Sequence, residues 1–195
     1  AQLLFEVDQD AEVMRYINGG KLTSMQTIVD VMLPRMAQYR DATSGYGIWQ
    51  VRRSDDNAFL GWVLIRPMGF NTASPSKDDV EIGWRLKREY WGQGYASEAA
   101  KAVADAVVGN NNNVQFLSAI AMPDNAGSIG VMRKLGMQFV KRFLHRDALG
   151  DVDAVFAEAA VVVGGRFRMT RKTATAMENR CYLAEYDRRR MALTL

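Results

Sequence analysis

The sequence predicts an α/β domain, a mixed sheet with helices between its strands. Three observations carry this. Segments that alternate apolar and polar residues, or run briefly apolar, recur between turn clusters. Two stretches near the N-terminus repeat apolar residues at helical spacing. An alanine-rich stretch then separates one strand segment from the next. The chain has 195 residues, which fits one domain. Apolar residues make up 48% and charged residues 24%, which excludes a wholly disordered or collagen-like chain.

Taken in order, residues 11–17 read as a short helix ended by Asn18-Gly19-Gly20. Thr23-Ser24-Met25-Gln26 has capping-box spacing, with Thr23 as the N-cap and Gln26 reaching back. The helix it opens carries Ile28, Val31, Met32, Met36 and Tyr39, and Pro34 inside it should kink or split it. Residues 46–53 and 59–65 are strands around the turn cluster Ser54-Asp55-Asp56-Asn57, hence a hairpin. A polar loop spans 71–77, and residues 80–86 form a third strand. After a glycine-containing turn at 92–96, residues 95–108 read as a helix, stopped by Gly109 and four asparagines. Residues 114–122 are a nearly all-apolar strand, expected to be central. A short helix at 126–135 ends at Gly136. Strands follow at 137–146 and 180–186. Between them, 154–163 fits helix or strand, and Gly164-Gly165 suggests a turn. No repeat or linker divides the chain, so one domain over 1–195 is expected, with an atypical segment at about 147–179.

Net charge is +3. Residues 166–190 hold eight basic and three acidic residues, so that stretch is +5 and the remainder −2. No aromatic residues interleave it at a spacing suited to stacking bases, so it reads as a solvated face and nucleic acid is not expected. One cysteine, Cys181, excludes an internal disulfide and fits a reducing compartment. The longest apolar run, 154–163, contains Glu158 and is too short to span a bilayer. Residues 1–10 lack a signal pattern. A cytoplasmic protein with no membrane partner is expected; a homodimer is left open.

The chemistry concentrates in residues 79–97. A strand ends, a loop follows, and Gly92-Gln93-Gly94-Tyr95-Ala96 opens a helix. Helix N-termini present unpaired N–H groups and partial positive charge, and glycine lets a phosphate approach the backbone. That pattern suits a pyrophosphate. One reading is a dinucleotide site of an oxidoreductase, because residues 92–97 partly match its glycine fingerprint, with Ser97 where the third glycine belongs. In that fingerprint, however, the glycines follow the strand directly, and here five residues intervene.

The second reading is more specific. Trp91-Gly92-Gln93-Gly94-Tyr95-Ala96 resembles the coenzyme A motif of the GNAT superfamily of N-acetyltransferases, matching at Gly94 and Ala96. Tryptophan in the first position resembles the branch that includes the ribosomal-protein-alanine N-acetyltransferases. Val13-Met14-Arg15-Tyr16-Ile17 resembles that branch's first helix, Glu81-Ile82-Gly83-Trp84 its fourth strand, and Asn125-Ala126-Gly127-Ser128 with residues 131–137 its second coenzyme A motif. The match covers about 11–146 plus a last strand near 181–188. The family's usual first strand has no counterpart here, and residues 147–179 match nothing in the pattern.

The resemblance implies a GNAT-like, largely antiparallel sheet flanked by helices, splayed between the strands at 80–86 and 114–122, with acetyl-CoA in the gap. It implies direct attack of a neutral amine on the thioester of acetyl-CoA. Glu81 is then the expected base, and its alternatives are a surface carboxylate or an ion pair with Arg85. Ser128 is the expected donor to the departing thiolate, because the usual tyrosine position holds Met132; its alternative is a helix-cap or first-turn serine. Asn125 is expected on the pantetheine amide, or as the cap of its helix, or both. Trp84, Leu86, Trp91, Gly92, Gln93, Gly94, Tyr95 and Ala96 complete the expected coenzyme site. Acceptor candidates are a protein N-terminus, an aminoglycoside, a polyamine or an amino acid. A domain that binds acyl-CoA as a sensor without turnover is the alternative. No metal is expected, since His145, the one histidine, has no second His or Cys near it in sequence. Trp49, Trp62 and Trp84 read as core, while Trp62 and Tyr46 also fit an acceptor groove.

Overall fold

A computed structural model describes residues 1–144, 163–170, 185–187 and 192–194, with side chains as far as Lys141. The expectations for His145, Cys181 and most of 147–179 lie outside these residues. One eight-stranded sheet runs through the protein in the order β5-β6-β4-β3-β2-β1-β8-β7. The strands are β1 Gly47–Arg52, β2 Phe59–Pro67, β3 Asp79–Leu86, β4 Phe116–Ala121, β5 Gln138–Leu144, β6 Val163–Thr170, β7 Glu185–Asp187 and β8 Ala192–Thr194. Among the described residues only β1–β8 and β3–β4 pair parallel, and the other five pairs are antiparallel.

The helices are α1 Gln2–Asp8, α2 Ala11–Asn18, α3 Met25–Thr27, α4 Leu33–Tyr39, α5 Tyr95–Asn110 and α6 Ala126–Lys134. One sheet face carries Trp49, Val51, Val63, Ile65, Val80, Ile82 and Leu86 against Ala99, Ala100, Val103, Ala104 and Val107 of α5. The alanines let the helix backbone approach closely, and each fully buried Val, Ile or Leu contributes roughly 1.5–3 kcal/mol. The other face carries Phe59 and Trp62 against Leu4, Val7, Val13 and Ile28 from the N-terminal helices. Alternation along β3, and along β2 from Trp62 onward, sends successive residues to opposite helix layers, while the register shift between Val51 and Arg52 lets Leu60 join the α5 side.

The hairpin, the α5 helix and the split at Pro34 agree with the sequence. Between α3 and α4 the chain widens into a π-helical turn at Ile28–Met32, where the Leu33 N–H bonds Ile28 O. Proline has no N–H and its ring crowds the carbonyl four residues back, here Asp30, so the wider turn relieves both. Three details differ. The N-cap is Ser24 rather than Thr23: Ser24 Oγ accepts the Thr27 N–H at 3.0 Å, and the Gln26 side chain goes to Asp30. Gly164-Gly165 lies inside β6 instead of in a turn: Gly165 is paired with Ala121 of β4 and Arg142 of β5, and Gly164 with Phe143 of β5. These ladder bonds outweigh the local turn preference of the pair. Finally, α1 was not legible as a helix; it carries no side-chain cap.

Candidate functional site

The parallel strands β3 and β4 are paired at only three positions, Asp79↔Phe116, Val80↔Leu117 and Glu81↔Ser118. Beyond Glu81, β3 runs on to Leu86 and β4 to Ala121 without a further rung. The two strands fork, with Glu81 on the last paired position. Because they run in the same direction, their C-terminal ends lie at the same edge of the sheet. Each leads into a helix, β3 into α5 and β4 into α6. Both helix N-termini thus open beside the mouth of the fork, where α/β sheets commonly take ligands.

The turn before α5 is held from outside. The exposed Trp91 donates its indole N–H to Leu86 O at 2.9 Å, and the Gln93 amide donates to Glu89 O at 2.8 Å. Tyr95 meets Tyr90 edge-on at 6.2 Å. Gly92 and Gly94 have φ of +75° and +94°, and an added Cβ at either would meet nothing within 4 Å. Glycine is required there by backbone conformation rather than by crowding. The N–H groups of Gly92, Gln93, Gly94, Tyr95 and Ala96 have no acceptor among the described residues. Five free donors at the start of a 16-residue helix form a site for a multiply charged anion such as a pyrophosphate.

At α6, Asn125 is the N-cap, its Oδ1 accepting the Ser128 N–H at 3.0 Å. The Asn125 amide N–H groups and the Ser128 hydroxyl have no partner among the described residues. The Tyr16 hydroxyl donates to Asp124 O at 3.0 Å and ties α2 to this loop. Met132, in the position expected for a tyrosine, is 1% exposed and belongs to the core under α5.

Glu81 faces the N-terminal helices. Its Oε2 accepts from Arg66 Nε at 2.9 Å, and both side chains are 17% exposed. The ion pair with Arg85, one alternative to the role of base, does not form. Residues four apart on a strand lie about 13 Å apart along it, whereas antiparallel register sets Arg66 directly opposite Glu81. Arg85 pairs instead with the buried Asp8 of α1 and lies 4.8 Å over the Trp62 ring. The Arg66 guanidinium sits 5.5 Å from the Tyr39 ring and 5.6 Å from Phe70, and those two rings meet edge-on at 4.8 Å. Burial pushes the Tyr39 hydroxyl up to about 12, against the pull of Arg66. Burial and the like charge of Arg66 hold Arg35, on the same helix, below its ordinary value.

Trp84 and Leu86 turn their side chains into the α5-side core, so toward the fork they offer backbone. Tyr46 does not line this region: its hydroxyl accepts from Asn111, next to the far end of α5. Trp62 shares the face of Glu81 but is covered by α1. Arg66, Tyr39 and Arg35 were missed in the sequence, where only the hairpin register could have pointed to Arg66. Among the described residues no three His, Cys, Asp or Glu converge as a metal site, and no helix is long and apolar enough to cross a membrane.

Residues 1–138 match the family model described as an acetyltransferase (GNAT) domain. Residues 137–195 match a model described as a molybdopterin cofactor-binding domain. Of that segment, the described side chains are those of Met137–Lys141, with Met137 in the core and Gln138–Lys141 exposed. An uncharacterized protein, YkkB, of Bacillus subtilis is 33% identical over 134 residues, covering 68% of this chain and 72% of that one. Among solved structures, a GNAT-family acetyltransferase from Bacillus anthracis superposes with a TM-score of 0.64 at 21% identity, covering 87% of each chain. A ribosomal-protein-alanine N-acetyltransferase from Brucella melitensis gives 0.60 at 13% identity, over 87% of this chain and 92% of its own. At such identities the two structures share the fold.

Proposed function

The chain belongs to the GNAT family of acetyltransferases and is an acetyl-CoA-dependent N-acetyltransferase, and from that premise we propose how its fork of strands carries the reaction. The carrying observation is that the row of free N–H groups at residues 92–96 stands at the end of β3 where the β3–β4 pairing has already stopped. In this reading Gly92, Gln93, Gly94, Tyr95 and Ala96 hold the pyrophosphate of acetyl-CoA through their backbone. The Trp91 ring, fixed on Leu86 O, flanks it. The β3 backbone from Ile82 to Leu86, including Trp84, is paired with β2 but has no rung on its β4 side, and it runs beside the pantetheine arm. Asn125, whose Oδ1 is used by its cap bond, keeps its amide N–H groups for the pantetheine carbonyl.

Glu81 stands at the vertex of the fork. Arg66 fixes one of its oxygens, leaving Oε1 to take the proton of the attacking amine, directly or through one water. The amine nitrogen bonds the acetyl carbon, the C–S bond breaks, and the departing thiolate takes a proton from the Ser128 hydroxyl, which is replenished from solvent. We place the reaction in the cytoplasm, a reading supported by the single cysteine. We also read residues 1–195 as one domain, supported by the insertion of β6 between β4 and β5 and by the pairing of β8 with β1.

Calorimetry with acetyl-CoA tests the site. Gly94→Asp should abolish measurable binding, whereas Gly94→Ala, which brings the same backbone strain without the charge, should lose far less. Unchanged affinity in a folded Gly94→Asp protein refutes the assignment. Tight binding with no transfer to any amine would favour the sensor alternative.

A further inference from the structure

Glu81 is surrounded by more positive charge than it balances. Arg66 takes one of its oxygens from the opposite strand. Arg35 lies one helical turn before Tyr39 on α4, so the two share a face. The Tyr39 ring lies against the Arg66 guanidinium and brings that face onto the Arg66–Glu81 pair. Two arginines and one carboxylate leave a net charge of +1. Arg35 is half-buried and has no ion pair or hydrogen bond among the described residues. Burial and then the like charge of Arg66 weigh against its charge more than Glu81 favours it. A half-buried cation without a direct ion-pair partner costs free energy that an arriving anion would recover.

We propose that the acceptor amine carries a carboxylate, which Arg35 receives while Glu81 faces the amine. The inference rests on the acetyl-transfer reading and narrows its acceptor class. A guanidinium presents two parallel N–H donors that match a carboxylate. The Tyr39 hydroxyl has no hydrogen-bond partner among the described residues and stays protonated well above neutral pH, so it supplies a third donor. Tyr39 and Phe70 exclude water from one side, which strengthens each of these contacts. An acceptor with further ammonium groups, such as a polyamine or an aminoglycoside, would instead meet Arg35 and Arg66 as like charges.

Matched acceptors test this at saturating acetyl-CoA: an α-amino acid, its carboxamide, the same amine without the carboxylate, a diamine, and a peptide with N-terminal aspartate. The carboxylate acceptor should exceed its carboxamide in kcat/KM by about tenfold or more. Arg35→Met should erase that ratio, mainly through KM, and Arg35→Lys should restore part of it. A preference between the free amino acid and the aspartyl peptide identifies the source of the carboxylate and supports the proposal in either case. Brisk transfer with a ratio near one, or an unchanged ratio in Arg35→Met, overturns the inference alone. Acetyl-CoA binding without transfer to any amine overturns the transfer reading, and the inference with it.

Discussion

Arg66 on β2 and Glu81 on β3 face each other across an antiparallel rung and bond at 2.9 Å, on the last rung before β3 and β4 part. The pair sets one carboxylate oxygen and leaves the other free at the point where a strand gap opens. A carboxylate held in this way loses little freedom on binding a ligand.

The first expectation concerns that carboxylate. Glu81→Gln keeps the shape and a hydrogen-bond acceptor for Arg66 but removes the basic oxygen. Turnover at neutral pH should fall roughly a hundredfold or more, while acetyl-CoA affinity measured by calorimetry changes little. Parental turnover in this variant would move the base elsewhere.

Ser128 is less demanding. A coenzyme A thiol can leave as thiolate near neutral pH, so Ser128→Ala should slow turnover yet leave it measurable. A rate equal to the parent at every pH would reduce Ser128 to a first-turn residue of α6. Met132→Tyr is expected to fold, at a cost of about 1–3 kcal/mol from overpacking a side chain that is already enclosed. Chemical denaturation reads that cost.

Asp8 is 1% exposed and pairs with Arg85, linking α1 to β3 on the face that Glu81 occupies. Removing one partner of a buried pair leaves an uncompensated charge. Asp8→Ala should therefore lower the unfolding free energy by about 3 kcal/mol in urea titrations. Adding Arg85→Met should recover part of the loss. An additive double variant would mean that the two side chains stabilise the fold independently.

Tyr39 gives a pH signature. Its hydroxyl is raised to about 12 in the folded chain, against about 10 in an unfolded one. The folded state therefore keeps a proton that the unfolded chain releases. The stabilisation from the neutral hydroxyl is complete below pH 10 and is lost as pH rises from 10 to 12, about 2–3 kcal/mol across the window. Melting curves of Tyr39→Phe should lack that part of the alkaline decline. If parent and variant decline in parallel, the hydroxyl titrates as an exposed phenol.

The sequence by itself determined the local elements and the glycine turn. Alternation over residues 46–53 and 59–65, the capped helix split at Pro34, and Gly92 and Gly94 before an alanine-rich helix each have short-range causes: side-chain period, missing donors and positive φ. Chain order also carried the family resemblance. Other features depended on which strands meet. That Glu81 pairs with Arg66 and not Arg85 is a consequence of hairpin register, because neighbours across a rung are about 5 Å apart and neighbours along a strand are not. That Gly164-Gly165 extends as β6 follows from the ladder with β5 along both residues and the rung of Gly165 with β4. The gathering of Arg35, Tyr39 and Phe70 around Arg66 follows from the packing of α4 on the sheet face, which no spacing in the chain records. The chemistry of the glycine turn is thus local, and the charge around Glu81 is tertiary, because Coulomb interactions depend on distance in space and not along the chain.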